Sequence, residues 1–349
     1  MRVAVIGGGV IGYAVAFELA SRGARVRILD MRGPGAGATR ASAGMLAPYI
    51  EGGHEPLLRL GILGLSLYDS FIDRAAGAAR QRIEYRRTGT LQVPQSDSRR
   101  EELAATAARL AAQQVAHEWR GGSLFIPDHG YVRVPQLMSA LEAAAGTLGI
   151  ERSVARVERL EPAALDADAV VLAAGSWSGQ VSGAPVRPIK GQTVELQSAS
   201  PLPDHIIWGD DCYIVPWEDG ALMVGATAED AGFDEAIDEP ASQRLVAAAR
   251  RLLPGLAGAA VRESRVGLRP ATPDELPVIG RSSTMPGVVY ATGHYRNGIL
   301  LAPLTAAMVA ELVIPDEGGT NLSAEASAKA EVPQLQEALD LVRPERFNL

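Results

Sequence analysis

Residues 3–6 form a short, continuously apolar run and residues 26–29 a second, while residues 14–19 between them have helical composition. This pattern predicts strand, helix and strand in succession, a βαβ unit of buried parallel strands. The same buried-strand signal returns at 167–174 and 287–291, with glycines following at Gly175 and Gly293. Between these segments the pattern changes. Segments 84–93, 123–134, 186–196, 205–215 and 221–227 read as strands separated by turns such as Asp128-His129-Gly130 and Glu218-Asp219-Gly220, which suggests a largely antiparallel sheet. Helices are expected around 99–115, 135–147 and 241–253, with Pro135 suited to a first helical position.

The economical arrangement is an α/β fold of two interleaved domains. A Rossmann-like, parallel-sheet nucleotide domain would be assembled from 1–83, 135–185 and 266–314, and a mixed, largely antiparallel substrate domain from 84–134 and 186–265. Residues 315–333 are polar and rich in Gly, Ser, Ala and Glu, the composition of a flexible or inserted segment, and 315–349 is set apart from both domains as a polar segment and tail.

Composition narrows the function. A chain of 349 residues agrees with about two domains at roughly 150 residues each. The net charge of −8 is the wrong sign for a nucleic-acid binder. Cys212 is the only cysteine, so neither an internal disulfide nor a thiolate metal cluster is expected, and the scattered His54, His117, His129, His205 and His294 offer no helical metal spacing. No run approaches the ~20 apolar residues of a membrane span, and the first apolar stretch is too short for a secretory signal. A cytoplasmic protein with no membrane or nucleic-acid partner is the expectation.

Gly7-Gly8-Gly9-Val10-Ile11-Gly12 places glycines in the GxGxxG pattern between the first strand and helix, and the second strand ends at Asp30. Gly7 permits a tight turn, Gly9 lets the backbone approach a pyrophosphate, and Gly12 lets helix and strand pack closely. The helix N-terminus supplies amide donors, and an acid at position 30 suits ribose hydroxyls while repelling a 2′-phosphate. A dinucleotide containing ADP is expected, either NAD or FAD.

Several further blocks lie in register along the chain: Gly44-Met45-Leu46, residues 173–179 (AAGSWSG), 188–192 (PIKGQ), 267–274 (GLRPATPD), 277–280 (PVIG) and 293–301 (GHYRNGILL). Together with the glycine turn they resemble the D-amino-acid-oxidase-type flavoprotein family, most closely its glycine oxidase branch. The resemblance implies non-covalent FAD, with Val10 and Ile11 at the pyrophosphate turn and Asp30 at the adenosine ribose. It further implies Thr39 and Arg40 on the phosphates, Ala43, Gly44 and Met45 along the flavin, and Val154 near the adenine. Gly175 and Trp177 join this cofactor set, and His294, Tyr295, Arg296, Asn297, Gly298, Ile299 and Leu300 would wrap the isoalloxazine. Relatives usually carry Glu where this chain has Asp30, which shortens the arm toward the ribose. Independently of any family, a helix beginning near Gly298 would aim its amides at the preceding strand edge and stabilise negative charge on a reduced flavin.

Arg269 precedes Pro270 at the end of an expected strand, where a fixed guanidinium could grip a carboxylate through two parallel bonds. A surface arginine paired with Asp274 or Glu275 would look the same in sequence. By resemblance, Arg269 binds the substrate carboxylate and the Tyr213 hydroxyl supports it, with Met45 and a second arginine, Arg296, shaping the pocket. Cys212 does not match the covalent-flavin segment of monomeric sarcosine oxidase, and His54 with Glu51 could form part of a lid or an ordinary loop. The implied reaction is oxidation of glycine or another small amino acid to an imine, then to a 2-oxo acid and ammonia, with O2 reduced to H2O2. In relatives it can supply the imine for the thiazole of thiamine, and relatives often form homotetramers. Two other readings stay open: a flavoenzyme for D-amino acids, sarcosine or proline, including a dehydrogenase, and an NAD-dependent dehydrogenase.

Overall fold

The computed structural model describes residues 1–51, 54–158, 160, 162–314 and 328–349. The strand Arg2–Ile6 sits at the centre of a six-stranded sheet, beside Arg25–Asp30 on one side and Ala169–Leu172 on the other. Val288–Thr292 extends the parallel order, Glu151–Val154 forms one edge, and Val278–Arg281 pairs antiparallel at the other. Side-chain alternation sorts the core: Val3, Val5, Val171 and Val289 face one helical layer, while Ala4, Ile6, Val170, Leu172 and Tyr290 face the other side. Both faces are covered, which is why these strands read as unbroken apolar runs.

The helix Val10–Ser21 is buried along Val10–Leu19 because it lies between this sheet and other helices, chiefly Gly298–Val313. That second helix contains Pro303, which cannot donate to the Ile299 carbonyl four residues earlier. The hydroxyl of fully buried Tyr68 donates to that carbonyl instead, at 2.7 Å. Tyr68→Phe should therefore strand a buried acceptor and cost about 1–3 kcal/mol in chemical unfolding, whereas an unchanged stability would show that Ile299 finds another donor.

An eight-stranded sheet forms the other half. Its order is Ala260–Ala271, Arg187–Gln197, Ala221–Gly225, Tyr213–Pro216, Ile206–Trp208, Thr90–Gln92, Ser123–Ile126 and Glu118–Arg120. Every pairing is antiparallel except Ile206–Trp208 with Thr90–Gln92. One face, carrying Val194, Leu196, Ile214, Leu222 and Val224, packs on the helix Glu239–Leu252. The opposite face carries Ile206, Val215 and Met223, with Ala43, Met45 and Tyr213 packed among them.

Three features depart from the sequence-level layout. The boundary between 265 and 266 falls inside Ala260–Ala271, which pairs with Arg187–Gln197 from Ala260 to Ala271. Tyr85–Arg86 and Gly130–Val132 leave the large sheet and join Met45–Leu46 in a separate three-stranded one. The C-terminal part of 315–349 is packed rather than set apart: Ala338, Leu339 and Val342 are buried against the helical layer, and Leu349 against the other face of the parallel sheet. Residues 315–327 of the polar segment lie outside the described residues.

Candidate functional site

Three of the parallel strands run into glycines with positive φ at their C-terminal ends: Gly7, Gly175 and Gly293, at φ +113°, +53° and +77°. These turns open into one cavity of about 650 Å³, which also reaches the face of the antiparallel sheet that carries Tyr213. Ligands of open α/β sheets bind at such strand ends.

At the first turn the packing leaves no room for side chains. A Cβ on Gly7 would lie 2.2 Å from the Ala173 carbonyl oxygen, and one on Gly12 would lie 1.9 Å from the Gly7 oxygen. The Thr39 hydroxyl accepts from Val10 N at 3.1 Å, placing it at the helix N-terminus, where anions are favoured. Asp30 accepts from Gly8 N at 2.7 Å and Arg32 N at 2.5 Å, which fixes its carboxylate at the cavity wall. Gly9, Val10, Ile11, Asp30, Thr39, Ala43, Gly44, Met45, Gly175, Trp177 and residues 294–300 all border the cavity.

Three expected cofactor residues do not border the cavity: Gly12, which packs against the Gly7 carbonyl beneath the turn, Arg40 and Val154. Arg40 is exposed and ion-paired with Glu263, outside the cavity. Val154 is 80% exposed, and its successors Ala155, Arg156 and Val157 border the cavity instead. His54 also lies outside the cavity lining, and the Glu51 side chain lies outside the described residues.

The loop before the helix Gly298–Val313 is held from two directions. Tyr295 N donates to the Pro270 carbonyl at 2.8 Å, tying this loop to the residue after Arg269. His294 Nε2 lies 2.9 Å from Thr305 Oγ1, within the helix itself. Asn297, Gly298, Ile299 and Leu300 thus bring the helix N-terminus to the cavity, and the Arg296 guanidinium sits 5.4 Å from the Tyr295 ring centroid. Burial lowers His294 to about 3, so it is neutral at physiological pH. Burial, with Asp211 nearby, pushes the Cys212 thiol up to about 11. Neither changes charge between pH 5 and 9.

His129, fully buried beneath Tyr49, is likewise held to about 3, by burial and then by the nearby Arg87 charge. A histidine that stays neutral when folded but titrates near 6.5 when unfolded withdraws stability as pH falls below 6.5, down to about 3. Each can contribute a loss of up to about 1.4 kcal/mol per pH unit in that window. Unfolding free energy should fall steadily between pH 6 and 4, with a shallower slope in His129→Gln; identical slopes would contradict the assignment.

Arg269 and Tyr213 come from different strands to the same cavity. Arg269 Nη1 donates to the Thr227 carbonyl at 2.9 Å, and among the described residues Arg269 makes no ion pair. Asp274, its rival partner in sequence, is instead bound by Arg346 at 2.8 Å. Sequence reasoning missed the floor beneath these groups. A Cβ on Gly191 would fall 2.0 Å from Arg269 Nη1, and one on Gly225 would fall 2.2 Å from the Tyr213 hydroxyl. A glycine inside a strand was the available signal, since it marks close approach by a neighbouring group.

A glycine-turn cradle and a sheet-borne arginine opening into one cavity define a dinucleotide-dependent oxidoreductase of the two-sheet α/β type. The chain belongs to the family described as FAD dependent oxidoreductase, whose model matches residues 2–312. A glycine oxidase of Geobacillus kaustophilus is 31% identical over 362 residues, spanning 92% of this chain and 95% of that protein. The crystal structure of glycine oxidase from Geobacillus kaustophilus matches with a TM-score of 0.85 at 30% identity, covering 92% of this chain and 97% of that one. Iminodiacetate oxidase from Chelativorans matches with a TM-score of 0.79 at 26% identity, covering 92% and 97%. The bifunctional protein ThiO/ThiG of Trichormus variabilis is 34% identical over 352 residues, 92% of this chain but 54% of that protein. This chain therefore spans about half the length of the bifunctional relatives it matches.

FAD is the cofactor of this family, and the side-chain-free turn at Gly7 and Gly12, the fixed Asp30 and the helix N-terminus at Gly298 fit it. Among the described residues no helix is long and apolar enough to cross a membrane, and no group of three His, Cys, Asp or Glu could hold a metal ion.

Proposed function

We propose that the protein oxidises glycine or another small amino acid to its imine, which water converts to the 2-oxo acid and ammonia. The supporting observation is Arg269: a guanidinium without an ion-pair partner among the described residues, bordering the same cavity as the dinucleotide cradle. FAD, held non-covalently, would supply the two-electron acceptor for the Cα–H bond, with O2 as the final oxidant and H2O2 as its product.

The chain's own part is placement. Arg269 holds the substrate carboxylate through its remaining N–H groups, and the Tyr213 hydroxyl supports it. Met45 and Arg296 bound the space left for the rest of the substrate. Once the carboxylate is fixed, proximity and orientation provide most of the rate. The helix beginning at Gly298 turns the positive end of its dipole toward the cavity and favours negative charge there. Burial that holds His294 to about 3 makes it too weak a base to take the amine proton, and Cys212, pushed up to about 11, carries no thiolate near neutrality. The substrate amine must lose its proton before oxidation.

Within this reading the protein works as a homo-oligomer in the cytoplasm, and its product imine can serve thiazole formation, consistent with its likeness to ThiO/ThiG. A peroxide assay across glycine, sarcosine, iminodiacetate, D-alanine and D-proline tests the proposal. Glycine turnover with peroxide release is expected, and kcat/KM should rise with pH without a limb from His294 between pH 5 and 8. Absence of peroxide with all of these would overturn it, while turnover only with an artificial dye would identify a dehydrogenase.

A further inference from the structure

Resting on the assignment of Arg269 as carboxylate anchor, we propose that Gly191 is a positioning residue for substrate binding. Its bare backbone lets the Arg269 guanidinium lie across the neighbouring strand and reach the segment beyond it.

The strand register shows how. Ile189 is opposite Arg269 and Gly191 is opposite Gly267, so the Arg269 side chain runs diagonally over Gly191. Its Nη1 ends on the Thr227 carbonyl, and Thr227 is bonded to the far edge of the same strand, with Thr227 N donating to the Gln192 carbonyl at 3.1 Å. Gln192 N returns the contact by donating to Thr227 Oγ1 at 3.0 Å. The side chain thus crosses the neighbouring strand Arg187–Gln197 over Gly191 and ends on the segment that follows Ala221–Gly225. A methyl at position 191 would sit 2.0 Å from Nη1, 2.2 Å from Cζ and 2.3 Å from Nη2, all below the 3.0 Å that real Cβ contacts observe. The obstructing atoms are the far end of a flexible side chain, so the side chain moves and the strand stays. An ångström of displacement is enough to cost about 10²-fold when a bound group must be aligned.

Gly225 repeats the device under Tyr213. The two residues are directly opposed in adjacent antiparallel strands, and a Cβ on Gly225 would fall 2.3 Å from Tyr213 Cζ and 2.6 Å from Cε2. Each of the two carboxylate-binding groups lies over a glycine of a neighbouring strand.

The experiment is a double-mutant cycle on the FAD-loaded enzyme, comparing Gly191→Ala, Arg269→Ala and the combined variant for KM, kcat and acetate binding by perturbation of the flavin spectrum. Gly191→Ala should keep its FAD, raise KM for glycine about 10²-fold and weaken acetate by a similar factor. In the combined variant it should add almost nothing to the Arg269→Ala effect, since the group it displaces is gone. If Gly191→Ala alone does not fold, the combined variant should, because truncating the guanidinium removes the clash. Wild-type KM in Gly191→Ala, or full additivity, or failure of both variants to fold, overturns the inference. Wild-type KM and acetate affinity in Arg269→Ala would instead overturn the functional reading on which it rests.

Discussion

Arg269→Ala is expected to raise KM for glycine by roughly 10²–10³-fold while the purified protein keeps its FAD, which corresponds to about 3–4 kcal/mol of lost carboxylate binding. The cause is local. The guanidinium borders the cavity, hydrogen-bonds the Thr227 carbonyl alone among the described residues, and has its remaining donors to offer. Among the described residues no acidic group pairs with it, and Asp274 is committed to Arg346 and to Leu276 N. Arg269→Lys should recover only part of the loss, since an ammonium is a point charge without the planar fork. Steady-state peroxide kinetics with a parallel measurement of bound FAD checks both; a KM within a factor of about two of wild type in the alanine variant would remove Arg269 from the site.

The second large effect is on the cofactor. Gly12→Val should reduce FAD affinity by more than about 10²-fold, because the helix N-terminus that receives the pyrophosphate can no longer pack against the turn. Its Cβ would meet the Gly7 carbonyl oxygen at 1.9 Å, a backbone atom that cannot swing aside. Gly9→Ala makes a graded comparison, as its Cβ would lie 3.3 Å from the Thr39 hydroxyl and nearest to a side chain. Reconstitution of apoprotein followed by flavin fluorescence measures both, and stoichiometric FAD in purified Gly12→Val would refute the close-packing argument.

The parts legible in sequence were those set by local chemistry. Gly7, Gly12 and Asp30 announce the dinucleotide turn because tight turns and close helix–strand packing demand those residue types at that spacing. The buried strands at 3–6 and 26–29 and the helix at 135–147 are visible through apolar runs and the proline at its start. What escaped was decided by distant partners. Tyr85–Arg86 and Met45–Leu46 are two-residue strands that exist only because Gly130–Val132 runs between them. Arg40 follows Thr39, yet Glu263 from the antiparallel sheet draws it to the surface. Val154 pairs with Asp30 at the sheet edge, and the chain turns inward only after it. Gly191 stood within the PIKGQ block, but its role depends on a guanidinium from residue 269 that sequence spacing does not bring near.

The most direct test of the account is an anaerobic titration of the purified protein with glycine, followed at the flavin absorbance band near about 450 nm. The account predicts that the protein carries this band as isolated and that glycine bleaches it at concentrations that leave Arg269→Ala unchanged. A protein that shows no band after supply of FAD, or one whose band responds equally in both forms, would contradict it.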